Sequence, residues 1–390
     1  MNKDELTSKF IATYGISTED ICLYFAPGRV NLIGEHTDYN NGFVLPCALS
    51  FGTYLAIRKT SEPFFEFHSD GFTHNEIIPL ADKYRKSGQE WVNYPLSVIE
   101  MFSQQGLKTG GLQFYFYGNI PPAAGLSSSA SIEMATAFAL NDLYHWDYNV
   151  LDLIHLCKKA ENEFIGVNCG IMDQFAVGQG KKDHAIFLNC GTLAFRLVPV
   201  SLPGYRLVIT NTNKKRGLGE SKYNERVQEC RKAVEFLAKP LGINSLGEVD
   251  HDQFLQHQYL ITDQIVLKRA RHIVTENQRV VEAVKALGNN DFSTFGQLMI
   301  QSHDSLRDDY EVTGFELDSL VEISLKQKGV LGARMTGAGF GGCTVAFVKD
   351  ENLDEFISGA SKAYLEKTGL QAVFYLPEIG DGVKKIVQSL

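Results

Sequence analysis

Short runs rich in β-branched and aromatic residues mark the strands of this chain. Ile21 to Phe25 and Leu112 to Tyr117 are such runs, each stopped by Gly or Pro. Ala185 to Asn189 and Thr192 to Val198 form a second pair, joined at Cys190-Gly191 in the manner of a hairpin. Pro203-Gly204 then interrupts the pattern before Tyr205 to Thr210, which predicts a boundary between two units there. Helical spacing takes over elsewhere. Helices are expected near 128–145 and 149–165, and again over about 272–288, 291–304 and 315–327. Tyr223, Val227, Cys230, Val234 and Leu237 recur at steps of four, three, four and three, one amphipathic stripe. Gly332 to Gly342 reads as a Gly-rich loop ahead of a strand, Cys343 to Val348. Elements grouped in this way, rather than alternating as βα units, predict an α+β chain of two domains, 1–203 and 204–390.

Composition narrows the function classes. With 390 residues, 44% of them hydrophobic, the chain can bury roughly three-quarters of its unfolded surface and is neither disordered nor repetitive. Its 46 acidic against 37 basic side chains argue against a general nucleic-acid binder, which needs a Lys/Arg excess. A small phosphorylated ligand needs only a local site and stays open. The first residues carry acids and no apolar core, so no secretory signal is expected, and no run suits a membrane span. Seven scattered cysteines without a Cys-x-x-Cys predict reduced, mostly buried thiols in a cytoplasmic protein.

Four segments carry candidate chemistry. In Gly118-Asn-Ile-Pro-Pro-Ala-Ala-Gly-Leu-Ser-Ser-Ser-Ala-Ser131 a strand runs through a small-residue loop into a helix. Free N–H groups and the positive dipole end at a helix start favour phosphate, and the hydroxyls can donate to it or ligate Mg²⁺. An ordinary capped helix is the plainer alternative. The chain has no Gly-x-x-x-x-Gly-Lys-[Ser/Thr] loop, no His-Arg-Asp and no Asp-Phe-Gly, so neither the P-loop nor the protein-kinase architecture applies. Val150, Ile154, Cys157, Glu161 and Phe164 share a helix face, which places Glu161 on an apolar stripe. A carboxylate there needs a partner, either a core Arg or Lys or a hard cation such as Mg²⁺.

Near the start, Pro27-Gly-Arg-Val-Asn-Leu-Ile-Gly-Glu-His-Thr-Asp-Tyr-Asn-Asn-Gly42 sets Glu35, His36 and Asp38 just beyond a buried strip, Val30 to Ile33. Carboxylates in such a turn suit polyol hydroxyls, and Arg29 upstream can meet negative charge. A solvated turn is the alternative. Gly337-Ala-Gly-Phe-Gly-Gly342 matches Gly-x-Gly-x-x-Gly, but a strand follows where the dinucleotide fold needs a helix, so a hairpin closing over a ligand fits better.

Together, Gly28-Arg-Val-Asn-Leu-Ile-Gly-Glu-His-Thr-Asp-Tyr39, Gly125-Leu-Ser-Ser-Ser-Ala130 and Gly337-Ala-Gly-Phe-Gly-Gly342 resemble the three motifs of the GHMP small-molecule kinases. Cys169-Gly-Ile-Met-Asp-Gln-Phe175 and Trp91-x-Asn-Tyr94 agree, so the likeness spans essentially the whole chain. The first motif is close to that of the members acting on galactose. The resemblance implies ATP-dependent phosphorylation of the C1 hydroxyl of α-D-galactose, with Mg²⁺, the first committed step of galactose breakdown by the Leloir route. It implies an N-terminal domain with a mixed sheet, like ribosomal protein S5 domain 2, a ferredoxin-like C-terminal domain, and a site between them.

By the same resemblance Glu35, His36, Thr37, Asp38, Gly170, Asp173 and Tyr223 bind the sugar, with Asp173 the catalytic base and Arg29 its neighbour. Ala123, Ala124, Gly125, Leu126, Ser127, Ser128 and Ser129 cradle the phosphates, and Ser69 and Trp91 lie on the adenosine side. Ser129 and Glu161 match the metal ligands. Ala123 departs from the pattern, which often has Gly there; alanine fits where φ is negative. The resemblance implies small-molecule partners only (galactose and ATP), no nucleic acid, no membrane, and a monomer. An N-acetylgalactosamine kinase or related sugar 1-kinase uses the same machinery. A galactose-sensing regulator should have lost part of the phosphate loop or Asp173, and a mevalonate- or homoserine-kinase-like enzyme should lack Gly-Glu-His-Thr-Asp-Tyr.

Overall fold

The structure, a computed structural model, describes residues 1–15, 20–72, 75–121, 124–214 and 219–387. The first half of the chain runs α1 (Lys3–Tyr14), β1 (Cys22–Asn31), β2 (Phe43–Val44), β3 (Pro46–Thr60), β4 (Phe64–Ser69), β5 (Glu76–Pro79), α2 (Asn93–Gln104) and β6 (Gly111–Gly118). It continues through α3 (Ser128–Tyr144), α4 (Val150–Lys159), α5 (Met172–Gln179), β7 (His184–Asn189) and β8 (Phe195–Pro199). The second half runs β9 (Tyr205–Asn211), α6 (Gly219–Leu241), α7 (His251–His257), α8 (Gln264–Gly288), α9 (Phe292–Ser305) and α10 (Phe315–Lys326). It ends with β10 (Val330–Thr336), β11 (Cys343–Lys349), α11 (Leu353–Thr368), β12 (Val373–Tyr375) and β13 (Lys384–Lys385).

The six-stranded sheet has the order β13-β1-β3-β6-β4-β5. Its pairings are antiparallel apart from β4 with β6, which makes it a mixed sheet. The second sheet, β10-β11-β9-β12, is wholly antiparallel, and helices separate β9 from β10 and β11 from β12. That order is the ferredoxin-like one, as the two-domain α+β reading expects. Beneath the first sheet, α2, α3, α4 and α5 bury an apolar core that includes Phe65, Phe114, Phe175 and Met134. Another cluster takes Val30, Leu32 and Leu126 from before Pro203-Gly204 and Ile209, Val280, Phe295 and Val345 from after it. Each such side chain contributes about 1.5–3 kcal/mol on burial, so the two halves share part of one core. The chain's end also crosses over: β13 pairs with β1 through Tyr24 and Phe25.

Four local expectations need correction. β1 does not stop at Phe25 but runs through Pro27 and Gly28 to Asn31, with a register shift between Pro27 and Arg29. Pro and Gly here form a bulge, not an end. The helix expected over 149–165 is α only to Lys159; Ala160–Ile165 is a π-helical turn, ended by Gly166 in the left-handed region. The Cys190-Gly191 hairpin is longer than a two-residue turn, because residues 190–194 form the link, with the Asn189 side chain accepting from Gly191 and Thr192 N–H. β10 extends to Thr336, so the Gly-rich loop is only Gly337–Gly342. Gly332 lies within the strand through its pairing with β11, and glycine is needed there because a Cβ would stand 2.5 Å from the Gly296 carbonyl oxygen of α9.

Candidate active site

The bulge in β1 places Arg29 on the wall of a cavity lined from both halves of the chain. Gly28 lets the strand meet the loop after β6, since a Cβ on it would stand 2.7 Å from the Leu126 carbonyl oxygen. Arg29 N–H donates to that oxygen at 3.1 Å. The guanidinium, 5% exposed, then forks onto Asp173 in the first turn of α5, Nε to Oδ1 and Nη2 to Oδ2, both at 2.8 Å. Its Nη1 donates to the Gly125 carbonyl at 2.7 Å. Burial opposes the Arg29 charge, but Asp173 and Glu35 outweigh it and hold the pKa above its ordinary value. Ser127, left-handed at φ 60°, donates its hydroxyl to Asp173 Oδ2. One carboxylate therefore ties β1, the small-residue loop and α5 together.

Glu35 is 1% exposed and joins the two halves of the chain. Its Oε1 accepts from Gly337 N–H (2.8 Å), Thr336 hydroxyl (3.0 Å) and Arg334 Nη1 (3.3 Å). Arg334, fully buried on β10, also donates to the Asn31 and Leu32 carbonyls, so the strip after Arg29 is held by the second sheet. His36 contacts Tyr39 and the Ala338 carbonyl. Asp38 opens a 3-10 turn and lies against Gly170, where a Cβ would stand 1.9 Å from its Oδ2. Burial, then the Asp173 charge, pushes the Asp38 carboxyl up to about 7.

A cavity of about 410 Å³ gathers Arg29, Glu35, His36, Asp38, Glu161, Gly170, Asp173 and Tyr223. Eight of the residues expected from the sequence thus meet in one space. Thr37 does not line it: its hydroxyl turns inward between the Gly34 and Phe43 carbonyls and shapes the turn. Tyr39, Val167, Cys169, Met172, Asn224 and residues 337–340 complete the wall. Cys169 and Met172 stand in a motif already singled out. Val167 and Asn224 had no signal, being neither charged nor regularly spaced.

The phosphate side is separate. Ala124 and Leu126 are 1% exposed and belong to the shared core, so the loop offers its backbone rather than their side chains. α3 begins at Ser128 and presents its first N–H groups and dipole end beside Ser127. Ala123 lies outside the described residues. Ser69 ends β4 in register with Phe116, whose ring packs 5.9 Å from that of Trp91; neither Ser69 nor Trp91 lines the cavity.

Glu161 occupies the π turn, 8% exposed, accepting from Ser129 and from Gln174 Nε2. Burial, then Asp173, raises its pKa. No core Arg or Lys among the described residues answers it. Glu133 on α3 lies nearby, 0% exposed, and its Oε1 and Gln174 Oε1 have no partner among the described residues. No three His, Cys, Asp or Glu side chains among the described residues cluster as a metal site by themselves. A hydroxyl and an unbalanced carboxylate do fit a hard cation that keeps water and phosphate ligands.

The galactokinase galactose-binding signature matches residues 8–59, the GHMP kinase N-terminal domain 93–181 and the GHMP kinase C-terminal domain 283–366. The galactokinase of Clostridium acetobutylicum is 52% identical over 367 residues, 93% of this chain and 94% of that protein. The chain belongs to the galactokinase family. The Clostridium beijerinckii galactokinase is 48% identical over 388 residues, 99% of each chain. Among solved structures, Lactococcus lactis galactokinase complexed with galactose superposes with TM-score 0.95 at 44% identity, covering 98% of this chain and 99% of that one. A Methanococcus jannaschii mevalonate kinase superposes with TM-score 0.64 at 19% identity, covering 92% and 98%, a likeness of fold alone. The chain is thus a galactokinase-family enzyme of the GHMP kinases, and ATP use comes with that membership.

Proposed function

We propose that the chain transfers the γ-phosphoryl group of ATP to the C1 hydroxyl of α-D-galactose, giving galactose 1-phosphate and ADP. The observation that carries this is the Arg29–Asp173 fork, which opens on the same cavity as Glu35, Asp38 and Tyr223 and is tied through Ser127 to the start of α3. Asp173 already accepts three hydrogen bonds, and a carboxylate offers about four acceptor sites, so one remains for a sugar hydroxyl. Asp173 orients the hydroxyl and takes its proton late, as the O–P bond to ADP breaks and the new C1–O–P bond forms, which suits a loose phosphoryl transition state.

All three bonds to Glu35 fall on Oε1, which leaves Oε2 for the sugar. Asp38, Gly170 and Tyr223 close the other side, with His36 in the wall and Thr37 holding the turn. The backbone of residues 123–129 and the α3 N-terminus take the nucleotide phosphates, and Ser69 and Trp91 mark the adenosine side. Ser129 and Glu161 would hold Mg²⁺, which neutralises phosphate charge when bound. In this reading residues 1–203 carry the sugar motif and phosphate loop and 204–390 the Gly-rich loop. The enzyme works as a monomer in the cytoplasm on small molecules. No helix among the described residues is long and apolar enough to cross a membrane.

A coupled ADP-release assay with ATP and Mg²⁺ on galactose, N-acetylgalactosamine, glucose and talose tests the substrate. Turnover on galactose that leads the panel and is lost in Asp173→Asn is expected. Preference for N-acetylgalactosamine would keep the machinery and overturn the substrate.

A further inference from the structure

A chain of hydrogen bonds with a forced proton order runs behind the sugar-side wall. His36 Nε2 lies 3.2 Å from the Ala338 carbonyl oxygen, and Nδ1 lies 2.8 Å from the Tyr39 hydroxyl. A carbonyl only accepts, so Nε2 carries a proton. Burial, reinforced by His272, holds the imidazole pKa down at about 3, so the ring is neutral and Nδ1 accepts. Tyr39 therefore spends its one proton on His36 and must accept from Tyr310, 2.8 Å away. Tyr310 has then spent its own proton and must accept from the Cys230 thiol at 3.1 Å. Tyr310 is 0% and Cys230 1% exposed, so bulk solvent reaches neither.

The path begins on α6, passes the π turn that ends at Tyr310, enters the sugar loop at Tyr39 and His36, and finishes on the Gly-rich loop. Ring contacts follow it: His36 stands 4.9 Å from Tyr310 and 5.7 Å from Tyr223, a cavity residue.

We propose that Cys230, Tyr310 and Tyr39 are positioning residues that fix His36 as the Nε2–H tautomer and so latch the sugar loop onto Ala338 of the Gly-rich loop. Both nitrogens of His36 are then spent inside the protein. The residue shapes the sugar wall by its ring and by the placement of Ala338. The inference rests on the cavity being the sugar site.

Histidine-selective ¹⁵N labelling of the whole enzyme reads the tautomer directly, with His36→Gln identifying the signals. The expected spectrum has a protonated Nε2 and a hydrogen-bonded, unprotonated Nδ1 without any sugar present. Tyr39→Phe removes the donor to Nδ1: that signal should move to the unbonded position or a second tautomer should appear. The KM for galactose should rise roughly tenfold, the effect of one lost buried hydrogen bond, with kcat and the KM for ATP within about twofold. Tyr310→Phe should shift the same signal by less, and serves if Tyr39→Phe does not fold. An Nδ1–H tautomer in the parent enzyme overturns the proposal, as does an Nδ1 signal indifferent to both variants. An unchanged galactose KM in Tyr39→Phe beside a raised one in Asp38→Asn refutes the latch and keeps the pocket. Unchanged values in both remove the pocket and the latch with it.

Discussion

Replacing Asp173 by Asn exchanges one carboxylate oxygen for an amide nitrogen and removes the counter-charge of a buried guanidinium. Oδ1 accepts from Arg29 Nε, and Oδ2 accepts from both Arg29 Nη2 and Ser127. Whichever way the amide is turned, its NH₂ faces at least one N–H of Arg29. Removing one partner of a buried pair costs about 3–5 kcal/mol. Here the Arg29 side chain is 6% exposed but Asp173 28%, and Glu35 and Asp38 still act on Arg29, so a cost discounted below that range, about 2–3 kcal/mol, is expected. At about 2–4 °C per kcal/mol the Tm should fall by roughly 5–10 °C, with the enzyme folded at 25 °C. Turnover should suffer far more. Losing a positioned proton acceptor typically removes about 10²–10⁴ in rate. Thermal unfolding without ligands and saturating kcat in the coupled ADP assay separate the two effects. A lowered Tm with kcat within tenfold of the parent would refute the role given to Asp173 and leave only an ion pair.

Gly170→Ala would force a methyl group to within 1.9 Å of Asp38 Oδ2, so Asp38 must leave its place; calorimetry should show galactose binding weakened by at least tenfold, a loss on the scale of one hydrogen bond to a charged group, and ATP binding little changed. Asp38, with a pKa of about 7 in the folded enzyme, should bind sugar hydroxyls better once ionised. Galactose affinity should therefore tighten as pH rises through 7, and in Asp38→Asn that slope should vanish; a slope that survives would point to another group. Glu276, fully buried on α8, accepts from Gly34 N–H, Ser302 and Arg279. Burial alone would raise its pKa, but Arg279 leads the charges that bring it down from 4.5 to about 2. Its folded pKa is depressed, so its contribution is present above pH 4.5 and is lost as pH falls towards 2. Glu276→Gln should lower stability at neutral pH by on the order of 3 kcal/mol and flatten its acid dependence, as urea titrations at several pH values would show.

Glycine, proline and serine placement, together with carboxylates in fixed short spacings, made the three ligand segments readable along the chain. Those signals are local: a helix start needs its cap, a close backbone approach needs Gly, and both are visible within a few residues. The same locality explains the misreadings. Pro27-Gly28 looks like a strand end in isolation, and only pairing with β3 and contact with the Leu126 carbonyl make it the bulge that points Arg29 at Asp173. The stripe of α4 placed Glu161 inside, but the π turn and the neighbourhood of Ser129, Gln174 and Glu133 came from packing across three helices. Arg334 reads as part of a Gly-rich loop until β10 sets its guanidinium against Asn31, Leu32 and Glu35. Local sequence therefore determined which segments could hold a phosphate or a polyol. Which side chains meet, which nitrogen of His36 keeps its proton and which carboxylate resists ionisation were decided by tertiary structure. Hydrogen-bond partners and burial come from residues up to hundreds of positions away, and no local pattern encodes them.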